Sequence, residues 1–380
     1  MLEVDEGDPF NKLLHAKSIN SMKARNIFQD VKSEIIDTKD KNLKNINITV
    51  EEKATGEILV GAGVGSEGGT AQFSVSENNF LGKGVKLSTG LRVSEERVRG
   101  NFTITNPNFN YTEKALFTDI FVTDIDKLND SGYESTNAGF SLGTAFEQYD
   151  DFFFRPTFRT VYEELTTNTL ASANLRKQEG SYFTTEVGYT LDLDKRNQRF
   201  QTSDGFQSKF LQNIPLISES DTLLNGYQFD TYHSYNDVTA SLGLYLRAVT
   251  GLSDDVRISE RLKLPRKRLR GFESGKVGPV DQGDYVGGNY ASALNLEAQL
   301  PNLLPEATQT DVAAFVDFGN LWSVDYDSSA GSSSKIRSSV GVTTQLYTPI
   351  GPVNFVLAQP ISKAESVKTQ TFKFQIGTSF

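Results

Sequence analysis

The feature that most constrains this chain is a change in hydrophobic period at Gly56. From there to the C-terminus apolar and polar residues alternate; in SALNLEAQL, for example, residues 294, 296, 298 and 300 are apolar and most of those between them are polar. About sixteen such segments, an even number, can be counted. A period of two is that of a β-strand with one apolar face. The sequence therefore predicts an all-β fold for residues 56–380.

The lengths of the connections separate a membrane barrel from a soluble antiparallel sheet, since both show this alternation. Outer-membrane barrels have short turns on one side and long loops on the other. The segment 192–205 departs from that pattern, because it is long on the short side. A soluble sandwich would have strands of about 5–6 residues, shorter than these segments. We therefore predict a transmembrane barrel of about 16 antiparallel strands, with a soluble all-β fold as the alternative. Short links at 80–84, 235–238 and 348–351 alternate with long polar ones at 124–135, 165–180, 253–285 and 323–335.

Composition argues against several classes of function. The chain has no cysteine and only two histidines, far apart, so disulfides, thiolate metal sites and histidine-based triads are not expected. Its formal net charge of −10 argues against nucleic acid as the main partner. No phosphate-binding loop and no nucleophile–base pair is recognisable, so we predict no enzyme activity, cofactor or metal. No run of about 18 apolar residues predicts a transmembrane helix.

The first 55 residues have a different pattern. Apolar residues at roughly helical spacing predict a helix over residues 9–35, with Pro9 in its first turn. The segments DVKSEIID and NLKNINITVEE then alternate as two strands. This region is predicted to be a small α/β unit.

One stretch, RKRLRGFESGKVGPV (266–280), concentrates positive charge in an acidic chain. It lies in residues 253–285, a segment without clear periodicity, and loops of that length are usually functional or disordered. One hypothesis for the first three residues is that they form a solvated basic run in contact with lipopolysaccharide phosphates. These residues are Arg266, Lys267 and Arg268.

Arg270 has candidate partners. Glu297 and Asp317 fall on the polar, inward faces of the next two strands, Asp317 together with Phe315 and Gly319. A carboxylate facing a crowded lumen needs a cation, and the planar guanidinium fork suits it. We predict that Arg270 holds the loop inside the barrel by pairing with Glu297, Asp317 or both. The alternative is that both acids are hydrated lumen residues.

The neighbours of Arg270 have predicted roles as well. Gly271 would allow close approach to the barrel wall, and Phe272 would pack against aromatic side chains in the lumen.

The chain resembles the BamA-like superfamily of outer-membrane assembly factors over essentially residues 5–380. Leu269-Arg270-Gly271-Phe272 is similar to the family's Val-Arg-Gly-Phe motif in its sixth extracellular loop, with leucine for valine. The segments NFLGKG (79–84) and FVDFG (315–319) and the aromatic last residue, Phe380, also match the family pattern.

The resemblance implies a fold, a function and a set of partners. Residues 1–55 would be the C-terminal part of a POTRA domain in the periplasm, and residues 56–380 the outer-membrane barrel of a Gram-negative bacterium, so the chain would be a fragment. The function would be to insert and fold β-barrel proteins without nucleotide hydrolysis. The partners would be unfolded outer-membrane proteins, outer-membrane lipids and accessory lipoproteins.

The same resemblance points to a lateral seam between the first and last barrel strands, about Ile58–Gly65 and Thr369–Phe380. Glycines weaken a strand and let another backbone approach, although they also suit a crowded lumen or a bend. Three other functions stay open: two-partner secretion, a TamA-like translocation barrel and a passive porin. The predicted seam residues are Ile58, Val60, Gly61, Gly63, Phe374, Gly377 and Phe380.

Overall fold

The computed structural model describes residues 6–40, 43–219, 221–300, 310–326, 334–348 and 351–377. The chain forms a small α/β unit followed by a closed barrel. None of the helices in these ranges is long and apolar enough to cross a bilayer.

The N-terminal unit contains helix α1 (Lys12–Ala24) and strands β1 (Phe28–Asp37) and β2 (Lys44–Glu52), which pair antiparallel. The Asn11 side chain caps α1 by accepting hydrogen bonds from two backbone amides, at 2.9 and 3.3 Å. The prediction of a helix over residues 9–35 was wrong at both ends. It begins after the Asn11 cap rather than at Pro9, and the residues from Phe28 onward pair with β2 instead of continuing the helix.

Sixteen antiparallel strands close into one barrel, as the alternation predicted. A two-stranded hairpin within residues 252–289 is formed by β14 (Val280–Asp281) and β15 (Asp284–Tyr285). The barrel strands are β3 (Gly56–Gly65), β4 (Gly68–Phe80), β5 (Val85–Ser94), β6 (Arg97–Asn106), β7 (Ala115–Lys127), β8 (Tyr133–Tyr149), β9 (Phe152–Thr167), β10 (Gly180–Asp194), β11 (Gly205–Ser218), β12 (Thr222–Tyr235), β13 (Val238–Gly251), β16 (Tyr290–Gln299), β17 (Thr310–Trp322), β18 (Arg337–Thr348), β19 (Gly351–Ser362) and β20 (Phe372–Gly377).

The two rims of the barrel differ. The near rim is the one at which the N-terminal unit enters β3, and it carries short turns such as residues 81–84 and 236–237. The far rim carries most of the long connections, including helices α2 (Leu128–Ser131) and α3 (Ala173–Arg176). The described residues also contain two 3₁₀ turns, Phe109–Tyr111 and Arg266–Arg268.

The outer surface of the barrel is apolar. On β16 the outward Leu296 is exposed while its neighbour Asn295 is buried on the inner side, and the same alternation follows around the wall. A mainly apolar outer face suits contact with lipid hydrocarbon rather than water. Large apolar side chains exposed on it include Phe73, Val93, Phe102, Ile120, Phe140, Leu246, Phe318, Val340 and Leu357.

The apolar core lies between the inner wall and the far-rim loops. One cluster of buried side chains contains Tyr133, Leu165, Ala171, Leu175, Ile258 and Val286. A second contains Leu269, Phe272, Val277, Ala291, Leu321 and Val367. Both clusters combine strand residues with residues of the connection between β13 and β16, so this connection is packed against the inside of the barrel.

Candidate functional site

The connection between β13 and β16, residues 252–289, is here named loop L. It contacts the inner wall at widely separated strands. Ser259 donates to Glu163 on β9 at 3.0 Å, and Lys263 donates to Ser131 of α2 at 2.9 Å. Leu269 and Phe272 are buried in the second apolar cluster. Loop L is therefore held from several sides.

Arg270 makes the densest polar contacts of loop L. Its Nε and Nη2 each donate to Asp317 on β17 at 2.8 Å, and its backbone amide donates to the same carboxylate at 2.9 Å. Its Nη1 donates to Glu297 on β16 at 2.5 Å. The guanidinium also lies over the ring of Phe315, 3.5 Å from the ring centroid. The structure thus brings Arg270 against both predicted carboxylates and Phe315.

The two carboxylates have unequal surroundings. Asp317 is fully buried, whereas the Glu297 side chain is 35% exposed. Asp317 also accepts from Asn295 at 2.8 Å. Burial acts to lower the pKa of Arg270, but hydrogen bonds to Asp317 and the charges of both acids outweigh it and raise the pKa above its ordinary value. Arg270 therefore stays charged, and the pair with Asp317 is its principal attachment.

Gly271 occupies a backbone position at which any residue with a side chain would be strained. Its φ is +86°, and a Cβ there would lie 3.1 Å from the Ala358 side chain and 3.3 Å from that of Ser339. Ser339 donates to the Arg270 carbonyl at 2.6 Å, and the Gly271 carbonyl accepts from the Gln370 amide at 3.0 Å. The backbone of the motif therefore lies directly against β18 and β19.

Phe272 and Gly319 act through packing. Phe272 was expected to pack against lumen aromatic side chains; it lies in a mainly aliphatic cluster that has Tyr245 at its edge. A Cβ on Gly319 would come within 3.5 Å of the Leu269 methyl groups. A Cβ at this position would therefore make only ordinary van der Waals contact with Leu269.

The other arginines of the basic stretch have partners that the sequence did not suggest. Arg268 is buried and donates to Asp230 on β12 at 3.1 Å and to Asn295 at 3.3 Å. Arg266 forms an ion pair with Glu67 in the turn between β3 and β4. The arginines at 266, 268 and 270 thus reach three different parts of the wall. The spacing of these arginines at every second residue could have indicated side chains with a common direction. The sequence does not reveal the strand register that places Asp230 opposite Gly243.

The seam, defined as the contact between β3 and β20, is the shortest pairing in the barrel among the described residues. It has three register pairs, Gly65 with Gln375, Val64 with Ile376 and Gly63 with Gly377. The adjacent β3–β4 ladder has ten, from Gly56 with Glu77 to Gly65 with Gly68.

The predicted seam residues occupy different parts of this contact. Gly63 and Gly377 pair directly, and Gly377 has a φ of +94° that bends β20. Ile58 and Val60, 73% and 76% exposed, lie with Gly61 on a stretch of β3 for which the described residues supply no β20 partner. Phe374 lies beyond the last pair, hydrogen-bonded to Ser66. Phe380 lies outside the described residues.

In the part of the chain that the structure describes, no group of three or more His, Asp or Glu residues could hold a metal ion.

Comparison with known families decides which family this architecture belongs to. The model of the Omp85 superfamily domain matches residues 79–380, which is most of the chain. The chain belongs to the Omp85 superfamily. The match includes loop L, the Arg270 contacts and the last strands of the barrel.

Individual relatives are consistent with that assignment. The chain is 24% identical over 356 residues to the outer membrane protein assembly factor BamA of Neorickettsia risticii, covering 88% of this chain and 46% of the relative. BamA from Haemophilus ducreyi lacking POTRA domains 1–3 superposes with a TM-score of 0.87 at 20% identity, covering all of this chain and 80% of that one. CdiB from Acinetobacter baumannii superposes with a TM-score of 0.60 at 13% identity, covering all of this chain and 70% of that one. The chain spans about half the length of the curated relatives it matches.

Proposed function

We propose that this chain is the barrel end of an outer-membrane protein assembly factor, which inserts and folds β-barrel clients by pairing their strands at its own seam, without nucleotide hydrolysis. An unfolded client strand cannot leave its backbone groups unpaired in hydrocarbon. A barrel edge that becomes available at the seam would satisfy them.

The observation that carries the proposal is that the seam is the shortest strand pairing in the described part of the barrel. Among the described residues, which end at Gly377, three register pairs join β3 to β20, whereas ten join β3 to β4. Separating the described parts of β3 and β20 would therefore break few hydrogen bonds. The exposed Ile58 and Val60 lie on the stretch of β3 for which the described residues supply no β20 partner, and an incoming strand would be added there.

The pinning of loop L supports the same function. The contacts of Arg270 join loop L to β16 and β17, on the wall beside β18–β20. In this proposal they keep that wall in shape while β3 moves. Arg270, Gly271 and Phe272 are thus positioning residues, and the chemistry performed is strand pairing rather than bond cleavage.

The location and partners follow from the function. The apolar outer face would contact outer-membrane lipids of a Gram-negative bacterium, with the near rim toward the periplasm. Residues 1–55 would be the C-terminal part of a POTRA domain that continues upstream. The match of the whole chain to a BamA structure lacking POTRA domains 1–3 supports this assignment. Accessory lipoproteins would bind outside the barrel domain of residues 56–380.

The test is a folding assay with the full-length protein reconstituted in liposomes and an added unfolded outer-membrane protein. The proposal expects faster client folding than in empty liposomes, and a rate close to the empty-liposome rate for Arg270→Ala. Lys267→Ala, an exposed neighbour in the same loop, is the matched control and should retain the full rate. No acceleration by the wild-type protein would refute the proposal.

Secretion is the second candidate, because CdiB has the same fold at lower similarity. A two-partner or TamA-like translocation barrel would release a soluble client on the far side of the liposome instead of folding a membrane protein. A passive porin would conduct ions steadily, which the packing of loop L inside the barrel disfavours.

A further inference from the structure

We propose that Glu67, Arg266 and Lys373 form an ionic latch at the far-rim end of the seam, which couples loop L to seam closure. This inference extends the proposed function by naming what opposes seam opening. It rests on contacts among three elements that meet at Glu67: the β3–β4 turn, loop L and β20.

Glu67 is the centre of the latch. One of its carboxylate oxygens accepts a hydrogen bond from Lys373 of β20, and the other lies within ion-pair distance of Arg266 of loop L. Its side chain is 15% exposed, compared with 25% for Lys373 and 57% for Arg266. Because this carboxylate is largely enclosed, leaving it unpaired would be unfavourable, and it needs both cations.

The latch lies where the strand ladder has already ended. Beyond the pair of Gly65 with Gln375, Ser66 continues the contact by donating its amide to the Phe374 carbonyl at 3.0 Å. The Ser66 hydroxyl accepts from the Phe374 amide at 2.9 Å. Lys373 is the next residue of β20, so its ion pair with Glu67 closes the last contact of the seam before the rim.

Loop L supplies the fixed side of the latch. Arg266 lies four residues before Arg270, which is attached to the buried Asp317. Arg268, between them, is attached to Asp230. Because these contacts hold the stretch from 266 to 270 against the wall, the pairing of Arg266 with Glu67 ties the β3–β4 turn to loop L. Opening the seam must separate Glu67 from Lys373, from Arg266 or from both.

The latch should respond to salt. Arg266 and Lys373 are accessible enough for ions to compete, and screening at about 1 M salt shortens the Debye length to about 3 Å. The three described register pairs of the seam belong to backbone strand pairing, which lacks that dependence. We therefore expect the ratio of open to closed seams to rise with ionic strength through these three side chains.

The experiment measures distances across the seam in the full-length protein in liposomes. Because the described chain has no cysteine, nitroxide labels can be placed on the outward Val93→Cys of β5 and Leu357→Cys of β19. Across the strands these positions are four strand spacings, roughly 19 Å, apart, and the register adds an offset of six residues along the strands, about 20 Å. Pulsed electron spin resonance then gives the fraction of molecules with a longer distance at low and high salt.

Three results are expected. In the protein with the unsubstituted latch, the fraction of molecules with the longer label distance rises with salt concentration. Glu67→Gln raises the open-to-closed ratio about tenfold at low salt and removes most of the salt response. Arg266→Gln, at a more exposed position, raises the ratio less and serves as the test if Glu67→Gln does not fold.

Glu96→Gln is the matched control. It removes an ion pair of similar kind, Glu96 with Lys127 at 2.5 Å, at the β5–β6 turn of the same rim but away from the seam. It should leave the distances unchanged.

A distance distribution for Glu67→Gln and Arg266→Gln that matches the unsubstituted protein at all salt concentrations would overturn the latch. The client-folding assay is separate. Salt-dependent opening without client folding would keep the latch and refute the proposed function, whereas client folding with a salt-independent seam would do the reverse.

Discussion

At the scale of single residues, the two carboxylates around Arg270 should differ in their effect on stability. Asp317 is fully buried and accepts three hydrogen bonds from Arg270, while Glu297 is partly exposed and accepts one. Removing the charge of Asp317 leaves a buried guanidinium without its main partner. We expect Asp317→Asn to lower the free energy of unfolding by about 3 kcal/mol. Glu297→Gln should lower it by no more than about 1 kcal/mol.

Both variants can be measured by urea unfolding of the barrel in lipid vesicles. Equal losses for the two would mean that Arg270 is held mainly by the cation–π contact with Phe315 or by its backbone contacts.

Gly271 offers a second residue-scale prediction with a control in the same loop. Gly271→Ala should lower the free energy of unfolding by about 2 kcal/mol, because it adds both a strained φ and contact with Ala358 and Ser339. Gly275 has a φ of +73° but open space where a Cβ would lie. Gly275→Ala should therefore lower the free energy of unfolding only through its strained backbone φ, by about 1 kcal/mol. Equal costs in the same unfolding measurement would contradict close packing at Gly271.

At the scale of elements, the contact of loop L with α2 predicts a dependence on pH. The Lys263 ammonium is enclosed against Ser131 and the Tyr133 ring. Burial, with help from the charge of Lys127, lowers the pKa of Lys263 to about 7 from 10.5. In the folded state Lys263 thus loses its proton near pH 7. In the unfolded chain Lys263 keeps its proton up to about the ordinary pKa of lysine. Between these values the unfolded state binds more protons, so stability rises with pH by up to about 1.4 kcal/mol per unit.

The variant Lys263→Met should remove this slope, and Lys267→Met, at an exposed position, should keep it. The measurement is the midpoint of urea unfolding at several pH values above about 7, the pKa of Lys263 in the folded protein. Identical pH dependence in both variants would show that Lys263 does not titrate in the folded state within that range.

The elements also show what sequence alone could supply. Alternation predicted the barrel strands because a period of two survives wherever one face meets lipid. It also placed Glu297 and Asp317 inward on consecutive strands, within reach of a loop that directly precedes them. The partner of Arg268 could not be predicted the same way, because Asp230 lies on β12 and only the β12–β13 register brings it opposite Gly243. Glu67 and Lys373 are 306 residues apart and meet only because the barrel closes.

At the scale of the whole molecule, a closed barrel has no free edge, so a strand-pairing function requires that closure be reversible at one place. The seam is the candidate because its three register pairs are the fewest in the described barrel. Covalent closure there can be tested without background, since the chain has no cysteine of its own. Val64 and Ile376 are directly opposite each other across the seam.

A disulfide in Val64→Cys/Ile376→Cys should bring client folding close to the empty-liposome rate, and reduction should restore it. The control is Phe102→Cys/Ile120→Cys, an opposite pair on the outer face of the continuous β6–β7 ladder. Oxidising the control should leave client folding unchanged, because that ladder stays closed during the proposed reaction. Full activity with an oxidised seam would mean that clients fold without strand exchange, through disturbance of the surrounding lipid by the barrel.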